Sequence, residues 1–148
     1  MNIWHDISPK RIKKDKFYAV IEISKGGKNK YELDKETGML KLDRVLFTST
    51  HYPANYGFIP RTFADDGDPL DVLVLCSETI QPMTLVECKP IGVWLITTAV
   101  TKKLLQFPLT IPTTIATATS ANFQNTILKK FSTFSRFTKH LRLTRLLR

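Results

Sequence analysis

Short apolar segments separated by turn residues make up the first 93 positions, and this pattern is typical of a β protein. Few stretches show helical periodicity. The aromatic-rich segment His51–Gly57 is predicted to be a loop. Short strands with turn signals between them indicate a small closed barrel. The predicted strands are Phe17–Ile23, Lys28–Leu33, Met39–Val45, Leu70–Leu75 and Thr84–Val93.

Charged residues interrupt the apolar pattern of the first three strands. Glu22 lies within a strand that is otherwise apolar, where a carboxylate is costly unless it is paired or binds a metal, although at a strand edge it can face water. Lys30 and Glu32 share one face of the second strand because alternate residues point to the same side. Asp43 and Arg44 come near the end of the third strand.

Asp66, Asp68 and Asp71 lie two and three residues apart where a tight turn runs into the fourth strand. A glycine and a proline between them force the chain to turn, and like charges at this density repel one another unless a cation holds them. Oxygen ligands favour magnesium or manganese, and zinc is disfavoured because no cysteine or histidine lies nearby. The alternative is a hairpin turn whose carboxylates are simply solvated.

The composition fits one domain with a core of its own, since 43% of the 148 residues are apolar. No run reaches the length of a membrane span, and the N-terminus lacks the apolar segment of a signal peptide. Cys76 and Cys88 lack metal-ligand spacing and are too few for a disulfide scaffold. They are interpreted as reduced core residues of a cytoplasmic protein.

Positive charge is concentrated in the second part of the chain. The net charge is +9, yet all 13 acidic residues lie at or before Glu87, and the 12 Lys and Arg there leave that part at −1. Residues 88–148 carry 10 Lys and Arg and no acidic residue. Two compositions are therefore joined end to end, which argues against a single nucleic-acid-binding surface as the source of the charge.

The order of several short motifs resembles that of the soluble family I inorganic pyrophosphatases of the bacterial type. The motifs are Val-Ile-Glu-Ile, Lys-Tyr-Glu-Leu-Asp, Asp-Arg, Tyr-Pro-Ala-Asn-Tyr-Gly-Phe-Ile-Pro, Asp-Gly-Asp-Pro-Leu-Asp-Val-Leu-Val and Pro-Ile-Gly-Val, and they run from about Ile7 to Val93. The resemblance implies a mainly β protein of the α+β type, with a small closed five-stranded OB-like barrel and flanking helices. It also implies hydrolysis of diphosphate to two phosphates with Mg²⁺, for which Mn²⁺ is a possible substitute. In bacteria the family commonly forms homohexamers.

The resemblance assigns metal-related roles to four carboxylates. Asp66 and Asp71 match magnesium ligands, with Asp71 bridging two ions, and Glu22 matches a ligand of further metals that arrive with the substrate. Asp68 matches the base that takes a proton from the attacking water. These assignments fit the chemistry, because hydrolysis of a polyanion by water requires bound divalent ions.

The resemblance also assigns residues to the substrate. Lys30 and Arg44 would hold phosphate oxygens, Arg44 through its planar guanidinium, and Tyr56 would donate a hydrogen bond at the site. Glu32 and Tyr52 would support these side chains from behind. Taken alone, the two basic residues are more often surface charges and the two tyrosines are more often core aromatics.

After Val93 the resemblance stops. The family continues with an acidic loop and later a helix bearing His-Phe-Phe and Tyr-Lys, whereas residues 94–103 contain no acid. If each codon's third base is read with the first two bases of the next, Ser132 to Lys139 permits His-Phe-Phe-x-Val-Tyr-Lys, and the preceding stretches permit the family's other motifs in order. Residues 1–93 are therefore predicted to be the barrel core, and residues 94–148 a tail translated out of frame.

The shifted frame has consequences for structure and activity. The family's C-terminal helices are expected to be lost or altered, the tail is expected to lack a single packed structure, and local order is expected to fall sharply after Val93. Thr98 and Lys103 occupy the places of two metal-binding aspartates, and Leu105 that of a lysine, so the chain is expected to be inactive or nearly so. The alternative function is a small basic barrel that binds nucleic acid. The carboxylate turn weighs against it, since that turn would repel phosphates unless metal filled it.

Overall fold

The computed structural model describes residues 2–47, 49–64, 67–98, 104–112 and 141–146. Within these ranges the chain is almost entirely β, with one short 3-10 helix at Pro9–Arg11. No helix among the described residues is long and apolar enough to cross a membrane. The strands are β1 Phe17–Ile23, β2 Asn29–Leu33, β3 Leu40–Val45, β4 Asn55–Ile59, β5 Leu70–Val74, β6 Leu85–Thr98, β7 Leu104–Pro112 and β8 Leu141–Leu146.

Five strands close into a barrel. They follow the order β1-β4-β5-β7-β6, and a further pairing of β1 with the first part of β6 completes the ring. All neighbours in the ring are antiparallel except β5 and β7, which are parallel. β8 pairs with the second part of β6, and β2 and β3 form a separate hairpin. The expectation of a mainly β protein with a small closed five-stranded barrel is confirmed.

The structure corrects two expectations about the strands. Part of the segment His51–Gly57, predicted as a loop, belongs to β4, which begins at Asn55. Moreover, two of the five segments predicted from the pattern are β2 and β3, which lie outside the ring. The loop prediction was wrong because the aromatic and glycine residues of β4 do not alternate between apolar and polar side chains as a half-buried strand usually does.

Strands also occur beyond Val93. β6 continues to Thr98, β7 completes the ring, and β8 extends the sheet, so strands are present at residues 94–98, 104–112 and 141–146. The division of the chain at residue 93 stays a prediction. The expected loss of the C-terminal helices falls largely on residues 113–140, which lie outside the described residues.

The barrel interior is filled by small and branched apolar side chains. Alternate residues of β1 point inward and pack against residues of β4, β5 and β6. Cys76 and Cys88 are both free and buried, which agrees with their interpretation as reduced core residues. The buried cluster consists of Phe17, Ala19, Ile21, Ile59, Val72, Val74 and Cys88.

A buried asparagine at the start of β4 joins two turns at one end of the barrel. Asn55 is fully buried, and its Oδ1 accepts hydrogen bonds from the backbone N–H of Lys25 at 2.9 Å and of Ile80 at 3.0 Å. Its Nδ2 donates to the carbonyl of Glu78 at 3.1 Å. Because a buried amide is stable only when its polar atoms are bonded, Asn55 fixes the backbone next to Tyr56.

Candidate active site

The candidate site lies on the outer face of the barrel, where the hairpin β2–β3 meets β1. Glu22 points away from the interior residue Ile21, and only 7% of it is exposed. Its Oε1 accepts a hydrogen bond from the backbone N–H of Leu33 at 2.8 Å. The last residue of β2 thus ties the hairpin to the barrel through this carboxylate.

Glu22 is held in surroundings that disfavour its charge. The pKa of its carboxyl is raised from the ordinary value of 4.5 to about 7, chiefly by burial and in addition by the negative charges of Asp71 and Glu32. The Leu33 N–H bond and the positive charge of Lys30 act in the opposite direction. A cation bound here would relieve the cost of this charge.

Asp71 and Tyr56 meet on neighbouring strands of the same face. The register of β4 and β5 places Phe58 opposite Asp71, and Tyr56, two residues away on β4, forms a side-chain hydrogen bond with Asp71. Burial and the charge of Asp71 raise the pKa of the Tyr56 phenol well above its usual value. The phenol therefore stays protonated and can donate at neutral pH.

Tyr52 supports Tyr56 from the side of the hairpin. The two ring centroids are 5.5 Å apart, with the rings tilted by 56°. Tyr52 is buried, and this burial raises its pKa as well, partly offset by the positive charge of Arg44. Packing of this kind limits the positions that the Tyr56 ring can take.

The two basic residues sit opposite each other on the hairpin. Lys30 of β2 pairs in register with Arg44 of β3. Lys30 forms ion pairs with Glu32 and with Asp43, the latter at 3.2 Å from Nζ to Oδ2, and Arg44 Nη1 lies 3.6 Å from the same oxygen. Burial lowers the pKa of Lys30, but the hydrogen bonds with Glu32 and Asp43 outweigh burial and raise it overall. The raised pKa keeps the Lys30 ammonium charged, and the Arg44 guanidinium lies beside it on the hairpin.

Asp68 lies in the turn that precedes β5. The backbone N–H of Ala64 donates to the Asp68 carbonyl at 2.7 Å, and that of Gly67 donates to the Ala64 carbonyl at 3.0 Å. Gly67 has a φ of +84°, a value that favours glycine. The exposed Asp68 carboxylate forms an ion pair with Lys35. Asp66 lies outside the described residues.

Seven of the nine residues selected from the sequence form one group: they lie close enough together that their charges or hydrogen bonds act on one another. Asp68 is held by Lys35 instead, at the tip of the hairpin. Sequence reasoning missed Asp43 and Lys35. A register shift between Lys30 and Tyr31 lets Asp43 reach Lys30, and no sequence pattern shows such a bulge. The group consists of Glu22, Lys30, Glu32, Arg44, Tyr52, Tyr56 and Asp71.

The donor atoms suit a hard divalent cation. Glu22 and Asp71 offer carboxylate oxygens in a partly buried setting, and the raised pKa of Glu22 reflects its burial first and the negative charges of Asp71 and Glu32 after it. Within the described ranges, which omit Asp66, no three His, Cys, Asp or Glu side chains are grouped closely enough to hold a metal. A complete set of ligands would thus need Asp66 in addition to these two.

Replacing Glu22 by glutamine is expected to stabilise the metal-free protein at alkaline pH. The folded state holds the Glu22 proton more tightly than the unfolded chain, so the parent loses stability as pH rises from about 4.5 to about 7. The loss amounts to about 3 kcal/mol. Glu22→Gln keeps an oxygen for the Leu33 N–H and has no proton to lose. Chemical denaturation with a chelator at pH 5 and pH 8 measures the difference.

The control for this comparison is Glu36→Gln, which alters an exposed glutamate on the same hairpin. This variant should follow the parent at both pH values. If Glu22→Gln also followed the parent from pH 5 to pH 8, the proposed burial of a charged carboxylate at this position would be wrong.

The fold and the site together define a closed barrel whose outer face carries the carboxylates Glu22 and Asp71 beside the paired cations Lys30 and Arg44. The family model of inorganic pyrophosphatases matches residues 19–146. The chain belongs to the inorganic pyrophosphatase family. Members of this family use divalent metal ions.

Curated relatives match part of the chain at high identity. A protein of Chlamydomonas reinhardtii, soluble inorganic pyrophosphatase 2, is 53% identical over 90 residues, which is 61% of this chain and 47% of the relative. The inorganic pyrophosphatase of Aquifex pyrophilus is 52% identical over 89 residues, 60% of this chain and 50% of the relative. The chain thus spans about half the length of the curated relatives that it matches.

Solved structures match more of the chain at lower identity. The inorganic pyrophosphatase of Helicobacter pylori superposes with a TM-score of 0.75 and 32% identity, covering 90% of this chain and 84% of that one. The enzyme of Thermus thermophilus gives a TM-score of 0.77 and 30% identity, covering 97% of this chain and 88% of that one. The barrel arrangement is therefore shared over most of the described backbone.

Proposed function

We propose that this chain carries the N-terminal part of the active site of an enzyme that hydrolyses inorganic diphosphate to two phosphates. The observation that carries the proposal is the meeting of two kinds of group on one outer face. The carboxylates Glu22 and Asp71 lie beside the paired cations Lys30 and Arg44. A diphosphate with bound divalent ions presents negative phosphate oxygens to the two cations and positive metal ions to the two carboxylates.

Mg²⁺ is the metal that we propose, with Mn²⁺ as a substitute. Asp66, Asp71 and Glu22 would hold it, because carboxylate oxygens are the ligands that these ions prefer. The bound ions would supply charge neutralisation of the phosphates and activation of the attacking water.

The remaining side chains would act on the substrate directly. Lys30 and Arg44 would bind phosphate oxygens, and the protonated phenol of Tyr56 would donate a hydrogen bond to another. Asp68 would accept the proton of the attacking water. Glu32 keeps Lys30 in place through its ion pair, while Tyr52 packs against the ring of Tyr56.

We further propose a cytoplasmic homo-oligomer, a hexamer as the family resemblance implies, for a chain with the complete family sequence. The 148-residue chain has no acidic residue after Glu87, so its own site would be incomplete. None of the comparisons supports the alternative of a nucleic-acid-binding module. The carboxylates on the outer face would also repel a phosphate backbone in the absence of metal.

Asp68→Asn tests the catalytic assignment in a frame-restored chain, by which we mean this sequence through Val93 followed by the residues encoded in the shifted frame. We expect kcat for diphosphate hydrolysis to fall by about a hundredfold or more, because asparagine cannot accept the proton. Phosphate release at saturating diphosphate and millimolar Mg²⁺ measures it. Asp15→Asn, which changes an exposed aspartate elsewhere, should leave kcat unchanged. If the Asp68→Asn protein were as active as the parent, the assignment of Asp68 as the base would be wrong.

A further inference from the structure

We propose that Lys35 is a positioning residue for Asp68, with its ammonium held in place by the ring of Trp4. The inference rests on the proposed function for its catalytic meaning, but the contact itself stands in the structure. Lys35 Nζ forms an ion pair with Asp68 Oδ1, and the same nitrogen lies 5.0 Å from the centroid of the Trp4 ring. The ammonium is thus bound between an aromatic face and the carboxylate.

The tip of the hairpin fixes the backbone of Lys35. Asp34 accepts hydrogen bonds at its Oδ2 from the backbone N–H of Thr37 at 3.2 Å and from the Thr37 hydroxyl, and the Gly38 N–H donates to the Asp34 carbonyl at 2.8 Å. Gly38 has a φ of +73°, which closes the turn. The lysine is therefore presented from a rigid turn.

Trp4 is also held in a fixed position. It is 8% exposed, and its Nε1 donates to the carbonyl of Thr62 at 2.9 Å. The backbone N–H of Arg61 donates to the Trp4 carbonyl at 2.9 Å, and the Trp4 ring stacks on Phe63 with centroids 6.1 Å apart. The N-terminal turn is therefore attached to the segment that leads directly into the carboxylate turn.

These contacts join three separate parts of the chain around one carboxylate. Lys35 and Asp68 are each more than half exposed, and an exposed ion pair contributes little to the stability of a fold. Its effect lies in geometry, because a point charge held on a fixed support restricts the directions in which Asp68 can point. It also offsets the repulsion between Asp68 and the neighbouring carboxylates.

Lys35→Ala in the full 148-residue chain tests the positioning without any need for activity. Amide hydrogen exchange of Ala64 and Gly67 reports the two turn bonds, Ala64 N–H to Asp68 and Gly67 N–H to Ala64. We expect exchange at both amides to rise by about tenfold in Lys35→Ala and to stay near the parent in Lys35→Arg, which keeps the charge. Lys41→Ala, an exposed lysine of the same hairpin, is the control. Unchanged exchange in Lys35→Ala would overturn the proposal.

Kinetics of the frame-restored chain test the catalytic consequence. We expect Lys35→Ala to lower kcat by about tenfold with little change in KM, since Lys35 orients Asp68 and does not touch substrate, and Lys35→Arg to recover most of the rate. If the parent were active and Lys35→Ala had the same kcat, the catalytic role of Lys35 would be wrong, but the proposed function would stand. A parent with no hydrolysis at all would instead refute the proposed function, and the exchange result would still decide the positioning.

Discussion

The frame-restored chain is expected to release phosphate from diphosphate at least about a thousandfold faster than the 148-residue chain, whose tail we predict to be out of frame. In the latter, Thr98 and Lys103 stand where the family resemblance places two metal-binding aspartates, and Leu105 stands where it places a lysine. Tight magnesium sites draw on few carboxylates, so the loss of two weakens the binding of the ion severely. Lys103 adds a positive charge where a dication would bind. The Tyr-Lys pair that would hold the phosphates is absent as well.

Phosphate release at millimolar Mg²⁺, measured for both chains at equal concentration, tests this expectation. Far-ultraviolet circular dichroism of both preparations controls for folding, because the barrel should be present in each. Comparable turnover of the two chains would show that the residues before Val93 suffice for catalysis. The proposed role of the tail would then be wrong.

Gly57→Ala is expected to prevent closure of the barrel between β1 and β4. A Cβ atom at this position would lie 1.8 Å from the carbonyl oxygen of Val20 and 2.9 Å from the Cα of Ile21. These are backbone atoms within a paired strand, so they cannot move aside without breaking the pairing of β1 with β4. We expect a loss of about 4 kcal/mol or more in the free energy of unfolding, which is a large part of the total for a domain of this size.

Urea denaturation followed by circular dichroism measures this loss, with Gly26→Ala as the comparison. Gly26 has a φ of +80° but nothing within 4 Å of the added atom, so its substitution should cost only about 1 kcal/mol of backbone strain. A Gly57→Ala protein within about 1 kcal/mol of the parent would contradict the close approach of the two strands.

The strands that alternate regularly could be predicted from the sequence, and those defined by distant pairing could not. β1 was predicted with its observed bounds, and β2, β3 and β5 to within one residue at each end, because turn residues mark their ends. β4 was not predicted, because its tyrosine and glycine interrupt the alternation of apolar and polar residues that marks a strand. The closure of the ring depends on β6 pairing with both β1 and β7, and no local pattern encodes such pairing.

The candidate site was found through the order of its motifs more than through any single residue. Glu22 stood out by itself, as a carboxylate in an apolar strand, and the structure places it under the hairpin. Without the neighbouring motifs, Lys30 and Arg44 would have been interpreted as ordinary surface charges. No sequence pattern marked Lys35 or Trp4 as part of the site. The Lys35–Asp68 ion pair and the Lys35–Trp4 contact join segments that lie far apart in the chain.

The sequence matches and the structure matches differ in extent, and the division of the chain near Val93 stays a prediction. The curated relatives from Chlamydomonas reinhardtii and Aquifex pyrophilus align over 90 and 89 residues at 53% and 52% identity, a length close to that of the segment from Ile7 to Val93. The solved structures from Helicobacter pylori and Thermus thermophilus align over 90% and 97% of the chain at 32% and 30% identity. The backbone arrangement thus extends further along the chain than the close sequence similarity, which differs from the loss of order expected for an out-of-frame tail.

Phosphate release by the frame-restored chain is the most direct test of the claim that this barrel belongs to a diphosphate-hydrolysing enzyme. We expect steady release of two phosphates for each diphosphate at millimolar Mg²⁺, full loss of the rate on adding a chelator, and recovery when Mg²⁺ is returned in excess. A folded, frame-restored protein that released no phosphate from diphosphate with either Mg²⁺ or Mn²⁺ would contradict the claim.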